Sequence, residues 1–182
     1  MLNILCWQIK DYIYIKIIKN VILDKLVKML KLIADELLQE VLQLHKLWLN
    51  DNNQGKRAML HSYDLSYRDF SYAILEKAVF RGSDISNANF SGAKLDQSDF
   101  SDCILNNTTF NSASLVSCNL SYVIALKSDF RWTNLSGANL TRANFSGTNF
   151  SWANLIRANL TGTIMKNTKR LNIVLPDGWS LH

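Results

Sequence analysis

The stretch that decides the fold is residues 138–155, which read Ala-Asn-Leu-Thr-Arg-Ala-Asn-Phe-Ser-Gly-Thr-Asn-Phe-Ser-Trp-Ala-Asn-Leu. A large apolar residue recurs there at every fifth position, and the same phase continues from Leu60 to Met165. These 22 positions hold 11 Leu, 8 Phe, one Ile, one Ala and one Met, which includes every Phe of the chain. Neither the 3.6-residue period of a helix nor the two-residue period of a strand generates this pattern. The sequence therefore predicts a repeat architecture with a five-residue unit.

Each unit pairs its large apolar residue, here named the central residue, with a small residue two positions earlier. Ala occupies 10 of the 22 earlier positions, and only Tyr63 and Arg68 are large there. The other three positions are mostly polar: Asn or Asp comes before the central residue, Ser or Thr after it, and Gly often one residue later. We therefore expect two inward and three outward residues in each unit.

Residues 58–165 resemble the pentapeptide-repeat family, whose motif is commonly written A(D/N)LXX. Ala138-Asn139-Leu140 and Ala153-Asn154-Leu155 match this motif directly. The resemblance implies a mainly β fold, a right-handed quadrilateral β-helix with four units per coil, in which the central and small residues face inward. It implies a solenoid of about five coils for this chain.

The order of the central residues independently indicates a coil of twenty residues. Reading them in steps of twenty gives one column of Phe only and one column of Leu only. These columns are Phe70, Phe90, Phe110, Phe130, Phe150 and Leu75, Leu95, Leu115, Leu135, Leu155. Stacked coils bring such rings to about 4.8 Å, the spacing of hydrogen-bonded strands. In this arrangement Ala125 lacks a large side chain, and Val123 partly refills its layer.

The N-terminal segment, residues 1–57, is predicted to hold a leader and an amphipathic helix at about residues 20–49. Apolar residues recur in the helix at spacings of three or four, which favours a cap over the first coil. That coil contains Tyr63 and Arg68, and a cap would cover both. The heptad-like spacing leaves a self-associating coiled coil as the alternative. The leader, residues 1–19, lacks the charge order of a signal peptide, and we expect translation to start at Met1 or Met29.

The C-terminal segment, residues 166–182, is predicted to leave the repeat and cap the last coil. Residues 171–175 favour a short strand or strap, and Pro176-Asp177-Gly178 indicates a turn. Trp179 is then placed to fold back on the solenoid.

No residue pattern indicates catalysis, a metal site or a cofactor. His45, His61 and His182 are far apart in the sequence, and no nucleotide-binding or nucleophile motif occurs. Cys103 and Cys118 occupy small inward positions, where a thiol acts as core filler. We therefore expect a protein that is not an enzyme, with no catalytic residues and no cofactor.

Outward apolar and aromatic residues form the candidate interaction surface. Steps of twenty place Trp132 beside Trp152, with Arg131 nearby, and Tyr122 beside Arg142. Ile104 and Ile124 stack on the face that Tyr122 enters, with Leu126 alongside. Exposed aromatic residues with Arg are typical of protein interfaces. The candidate surface is therefore Ile104, Tyr122, Ile124, Leu126, Arg131, Trp132, Arg142 and Trp152.

Charge helps to choose between two functions. Some members of the resembled family bind DNA gyrase by mimicking duplex DNA, and such mimicry requires a strongly negative surface. Residues 58–165 hold eight basic and eight acidic residues, a net charge of zero. We therefore predict a cytoplasmic scaffold that binds a protein partner or a second copy of itself, with gyrase binding as the alternative. Nucleic-acid binding is not favoured, and membrane contact is restricted to a peripheral role of residues 1–28.

Overall fold

The computed structural model describes residues 35–51 and 53–179. Helix α1 covers residues 35–50 within this part of the chain. The chain divides into two compact units, Met1–Val41 and Leu42–His182. The described part of the first unit is the beginning of α1, and the second unit holds the end of α1 and all of the repeats. The predictions for the leader, for Met29 and for the helix before residue 35 lie outside the described residues.

The repeats pair with one another through parallel bridges that join residues twenty positions apart. The first bridge joins Met59 to Val79 and the last joins Asn154 to Val174. Each bridging residue up to Ile164 precedes a central residue, and Lys169 and Val174 continue the same five-residue phase. Leu75 donates its backbone N–H to Lys94 O at 2.8 Å, and Lys94 donates to Ala73 O at 2.9 Å. The bridge spacing is the coil length that the side-chain columns predict. The described residues contain single-residue bridges and no continuous strand, because the chain turns at every fifth residue.

The corner between successive units requires a left-handed backbone. The residue two positions after each central residue has φ between +52° and +75° from Ser62 to Asn172. A left-handed backbone brings the Cβ atom of an L-amino acid too close to the backbone. Glycine has no Cβ and avoids this contact. This explains the frequent Gly at these positions, for example Gly92 and Gly137. Residues with large side chains at the corners therefore adopt a backbone conformation that is unfavourable for them.

The interior is built from stacked rings and aliphatic side chains. All central residues from Leu60 to Leu160 are buried, and Met165 is half-buried. The predicted Phe column is present, with ring centroids 4.6 Å apart for Phe70 and Phe90, and 5.2 Å apart for Phe130 and Phe150. Phe100 packs edge-on against this column, 5.8 Å from Phe110. Both arrangements lie in the favourable range for aromatic pairs.

Hydroxyl groups at the small inward positions make a second set of contacts between coils. Thr108 Oγ1 donates to Ile85 O at 2.8 Å, and Ser83 Oγ donates to Leu60 O at 2.6 Å. In both pairs the acceptor is the central residue 23 positions earlier. The sequence predicted only that these side chains are small, whereas the structure also gives Ser and Thr a hydrogen-bonding role there.

The two ends of the solenoid differ from the sequence prediction. Tyr63 is 56% exposed, so the expectation that a cap covers it is wrong. The physical reason is that its small-residue position in the first coil has no earlier coil to enclose it. At the other end the coil continues past Met165, since Asn149 pairs with Lys169 and Asn154 with Val174. The predicted turn at Pro176 is present, closed by the N–H of Trp179 donating to Pro176 O.

Candidate protein-interaction surface

Asn and Asp before the central residue have a structural role on the outside of each coil. Asn139 Oδ1 accepts the backbone N–H of Thr141 at 3.1 Å, and Asp84 Oδ1 accepts that of Ser86 at 2.9 Å. The amides also join across coils, since Asn139 Nδ2 donates to Asn119 Oδ1 at 3.2 Å. A short polar side chain that accepts from the backbone two residues later is the usual Asx turn. The fold therefore favours Asn or Asp at this position.

Three apolar residues interrupt this polar pattern on one face: Ile104, Ile124 and Ile164. Ile104 and Ile124 are paired by a bridge, so their side chains lie one coil apart. They are 39% and 44% exposed, although neither supplies an Asx acceptor. Asn106 Oδ1 of the preceding coil accepts the N–H of Leu126 at 3.0 Å instead. Apolar side chains thus stand in the solvent at positions where the fold elsewhere uses a hydrogen-bonding residue.

Tyr122 and Arg142 flank these isoleucines at the adjacent corner. The Arg142 guanidinium lies 5.8 Å from the centroid of the Tyr122 ring, and its Nη1 donates to Tyr122 Oη at 3.3 Å. This geometry is a cation–π contact with an added hydrogen bond. Tyr122 remains half exposed beside this contact. We refer to Ile104, Tyr122, Ile124, Leu126 and Arg142 as the Ile–Tyr surface.

Trp132 and Trp152 form a separate stacked pair. Their ring centroids are 4.7 Å apart and their planes differ by 5°, and the side chains are 56% and 44% exposed. Arg131 lies beside them in sequence but is engaged elsewhere. Its Nη2 donates to Asp129 Oδ2 at 2.7 Å and its Nε to Asp129 Oδ1 at 2.9 Å. The Trp pair therefore has a neighbouring cation that is already neutralised.

The structure divides the eight predicted site residues into two groups. Tyr122 and Trp132 occupy equivalent corner positions ten residues apart, which is half of a twenty-residue coil. In a closed four-sided coil, half a turn leads to the opposite corner. The Ile–Tyr surface and the Trp pair thus lie on opposite sides of the solenoid, and one flat partner surface does not contact both.

His45 is an important residue that sequence reasoning missed. Its Nδ1 accepts the backbone N–H of Ala58 at 3.0 Å, and its Nε2 lies 3.0 Å from Glu76 O. The ring is fully buried, and this burial lowers the pKa of His45, with the Glu76 carbonyl opposing the shift. Because Nδ1 accepts, the proton of the neutral ring lies on Nε2 and points at Glu76 O. The imidazole therefore fixes the end of α1 to the first coils.

Gly55 makes this junction compact. It has φ +75°, and a Cβ added there would lie 2.1 Å from Leu44 O. Lys56 N donates to the same carbonyl at 2.9 Å. Only glycine fits this turn after the helix. The sequence contains a signal for this turn, because Gly55 follows a run of Asn and Asp at the predicted helix end. That signal does not indicate a role for His45.

Among the described residues, no cluster of three or more His, Cys, Asp or Glu side chains could hold a metal ion. No helix in residues 35–51 and 53–179 is both long and apolar enough to cross a membrane. Cys103 and Cys118 are free and buried. Burial raises the pKa of Cys103 to about 12 and raises the pKa of Cys118 as well, so both thiols are protonated at neutral pH.

Comparison with known families places the repeats in a class. The family model described as pentapeptide repeats matches residues 64–102 and 127–168, in 8 copies. These two stretches are pentapeptide repeats, and such repeats imply a right-handed β-helix. The family model leaves residues 103–126 unmatched, although their backbone continues the same coils. No curated protein matches the chain in sequence.

Solved structures of pentapeptide-repeat proteins also resemble the chain. HetL from the cyanobacterium Nostoc sp. strain PCC 7120, involved in heterocyst differentiation regulation, is 20% identical, with 70% of this chain and 82% of HetL covered and a TM-score of 0.34. The protein alr5209 from Nostoc PCC 7120 is 26% identical, with 63% and 79% covered and a TM-score of 0.43. A trypsin-treated variant of QnrB1, a plasmid-mediated fluoroquinolone resistance protein, is 18% identical, with 64% and 88% covered and a TM-score of 0.35.

Proposed function

We propose that this chain is a non-enzymatic solenoid scaffold that binds a protein partner, or a second copy of itself, through the Ile–Tyr surface. The observation that carries the proposal is the bridged pair Ile104 and Ile124, which stand exposed one coil apart at a position where most units place Asn or Asp. An aliphatic side chain there gives up an Asx hydrogen bond. In solvent the exposed apolar surface gains no compensating contact. Burial against a partner would stabilise the pair by about 25 cal/mol per Å² of apolar surface.

Three neighbouring features support the same surface. Tyr122 is pre-oriented by Arg142, and a fixed aromatic ring loses little side-chain entropy on binding. Tyr122 also has φ +60°, a conformation that glycine or asparagine adopts at less cost. Finally, the surface falls largely in residues 103–126, the segment that departs from the family pattern. Three of its exposed apolar side chains, Ile104, Tyr122 and Ile124, therefore lie in the segment that the family model leaves unmatched.

The proposal includes a scaffold of about five coils with α1 as a cap at its N-terminal end. Bridges from Met59 to Val174 cover 116 residues, slightly more than five coils of twenty residues. The two hydrogen bonds of His45 support a capping role for the end of α1. The free thiols of Cys103 and Cys118 fit a reducing compartment such as the cytoplasm. The zero net charge of residues 58–165 favours this scaffold over gyrase binding by DNA mimicry.

The test is Ile124→Asp, which places a charge in the centre of the Ile–Tyr surface. If the partner is a second copy, light scattering gives a dimer mass for the wild type and a monomer mass for the variant. If the partner is another protein, affinity purification gives a complex with the wild type that is at least tenfold depleted with the variant. A wild-type monomer that captures the same proteins as Ile124→Asp contradicts the proposal.

Ile164→Asp is the matched control. Ile164 occupies the same position before a central residue, two coils further along the same column, and is also exposed. It carries the same change of charge and lies outside the Ile–Tyr surface. We expect it to leave the mass and the captured proteins unchanged. An equal loss with Ile164→Asp would show a general effect of charge and would reject the Ile–Tyr surface as the site.

A supercoiling assay with purified gyrase tests the alternative, since protection would favour the DNA-mimic function.

A further inference from the structure

A cleft of about 490 Å³ lies between the end of α1 and the first coils. All of its lining residues belong to the compact unit Leu42–His182. The volume falls within the range of small-molecule sites. The position of the end of α1 against the coils is set by the buried His45, so the wall that α1 contributes is fixed. The cleft is therefore a built feature of the fold.

The lining combines cations with apolar surface. Lys46 comes from the last turn of α1, and Lys77 and Lys94 come from two successive coils. Within the described residues, none of the three ammonium groups is within ion-pairing distance of a carboxylate. Ile74 and Leu49 supply apolar surface in the same cleft.

Two carboxylates also line the cleft, and one of them is engaged elsewhere. Asp96 Oδ1 accepts the hydroxyl of Ser114 at 2.5 Å and the N–H of Val116 at 3.0 Å. Glu76 is the second, and with Asp96 it leaves the lining one positive charge in excess, three Lys against two acids. The negative end of the α1 dipole explains Lys46. It does not explain Lys77 and Lys94, which belong to the coils.

The repeat pattern is also interrupted at this place. Ile74 and Lys94 are bridge partners at the position where Asn or Asp supplies the Asx acceptor in other units. Further along the same column Asn134 and Asn154 keep the usual residue, and each accepts an N–H two residues later. The column therefore departs from the usual residue at Ile74, Lys94 and Ser114, and the first two of these line the cleft.

We propose that the cleft binds a small organic anion, with a carboxylate or phosphate group held by Lys46, Lys77 and Lys94 and an apolar body against Ile74 and Leu49. The proposal is independent of protein binding by the Ile–Tyr surface, because no residue is shared between the two sites. The three ammonium groups supply enough donors to bind an anion through two contacts at once. The apolar surface sets the preference for an organic over an inorganic ion.

The experiment measures binding of 2-naphthoate to the full chain by isothermal titration calorimetry, with neutral 2-naphthamide and inorganic phosphate as comparison probes. We expect naphthoate to bind at least tenfold more tightly than either comparison probe. Equal affinity of naphthoate and naphthamide overturns the role of the lysines, and equal affinity of naphthoate and phosphate overturns the role of the apolar surface. No naphthoate binding at millimolar concentration overturns the proposal.

Lys77→Gln and Lys127→Gln form a matched pair of variants. Both lysines are exposed corner residues with left-handed backbones, φ +63° and +57°, but only Lys77 lines the cleft. We expect Lys77→Gln to weaken naphthoate binding about tenfold, the loss of one charge-assisted contact, and Lys127→Gln to leave it unchanged. Ile74→Asn restores the usual residue of the fold, so it should fold normally and weaken naphthoate but not phosphate. Equal weakening by Lys127→Gln would reject the site.

Discussion

The solenoid carries two aromatic ladders of nearly the same geometry, one inside and one outside. Phe90 and Phe110 stack at 5.0 Å in the interior, and Trp132 and Trp152 stack at 4.7 Å on a corner. Both spacings result from the twenty-residue coil, which places equivalent residues one bridge apart. The Phe rings are fully buried, whereas the Trp rings are about half exposed. The ring spacing therefore follows from the coil length, whereas the burial of the rings determines how much a ladder contributes to stability.

Interior residues are determined by the stability of the fold, whereas some exterior residues are left to function. Inside, the fold determines residue size, because each side chain is enclosed by the coils on both sides. Outside, the fold favours an Asx acceptor before the central residue and requires a left-handed backbone at the corner. The fold does not explain outward residues that suit these positions poorly, such as Ile124 in place of an Asx acceptor and Trp132 in place of a corner glycine.

Phe110→Ala should destabilise the protein strongly, and more than any substitution in the exterior Trp pair. Phe110 stacks on Phe90 and Phe130, and packs edge-on against Phe100. Removing the ring leaves a cavity that the neighbouring coils do not fill, at a cost of about 3–5 kcal/mol in the free energy of unfolding. Urea unfolding followed by circular dichroism measures this change.

Trp132→Asn is the exterior control for that prediction. The variant loses a stacked contact worth about 0.5–1.5 kcal/mol, and it gains a residue that tolerates the left-handed corner better. We expect the two changes to leave the free energy of unfolding within about 1 kcal/mol of the wild type. If Trp132→Asn were as destabilising as Phe110→Ala, the distinction between the two ladders would fail.

Cys103→Ser should have an intermediate effect that appears only at alkaline pH. Cys103 Sγ lies 3.0 Å from Phe80 O, and Ser83, one coil earlier in the same column, makes the equivalent bond to Leu60 O. The serine hydroxyl has the same acceptor, so at pH 7 we expect a change within about 1 kcal/mol.

The alkaline effect follows from the raised pKa of the Cys103 thiol, about 12 in the fold. The unfolded thiol ionises near a pKa of about 8.5, so the stabilisation is fully present below that pH and is lost as the pH rises toward the folded pKa. Between about pH 8 and pH 10 the wild type should lose about 2 kcal/mol more than Cys103→Ser. Cys118 is present in both proteins and its contribution cancels. Parallel pH profiles of unfolding free energy would contradict the prediction.

The interior was predictable from the sequence because packing repeats with the coil. The Phe column from Phe70 to Phe150 follows from a fixed phase and a twenty-residue step, and the structure confirms it through stacked rings. The adjacency of Trp132 and Trp152 follows from the same step. The role of the Ser and Thr hydroxyls did not follow, since residue size alone fitted Ala, Ser and Thr equally well.

The ends and the junction with α1 were less predictable because they are formed once. Tyr63 was expected beneath a cap, yet it is exposed, since the periodic rule for inward residues requires a coil on both sides. His45 showed no pattern, and its role depends on two backbone groups, of Ala58 and Glu76, that come together only in the folded chain. The cleft beside it depends on the same junction. No period in the sequence describes such a contact.

Ala125→Leu is the prediction with the smallest expected effect on stability. Ala125 is the one central position with a small side chain, and it is followed in its column by Phe145. The Phe145 ring packs edge-on against Phe130 and Phe150, at 5.5 and 5.1 Å between centroids, which directs it toward the neighbouring Phe column. A leucine has the size that most central positions accommodate, so we expect an unfolding free energy equal to the wild type or slightly higher.

The matched control is Ala143→Leu, the same substitution at a small inward position of the next coil. Ala143 is fully buried, and its position in the unit is one that the repeat keeps small, so added methylenes meet packed atoms and cost about 1–3 kcal/mol. The two variants together test whether position within the unit, rather than burial, determines the permitted size. A cost above about 2 kcal/mol for Ala125→Leu would mean that Val123 and Phe145 already fill the layer. The interior would then be adapted coil by coil, and the five-residue rule would describe the chain without determining its packing.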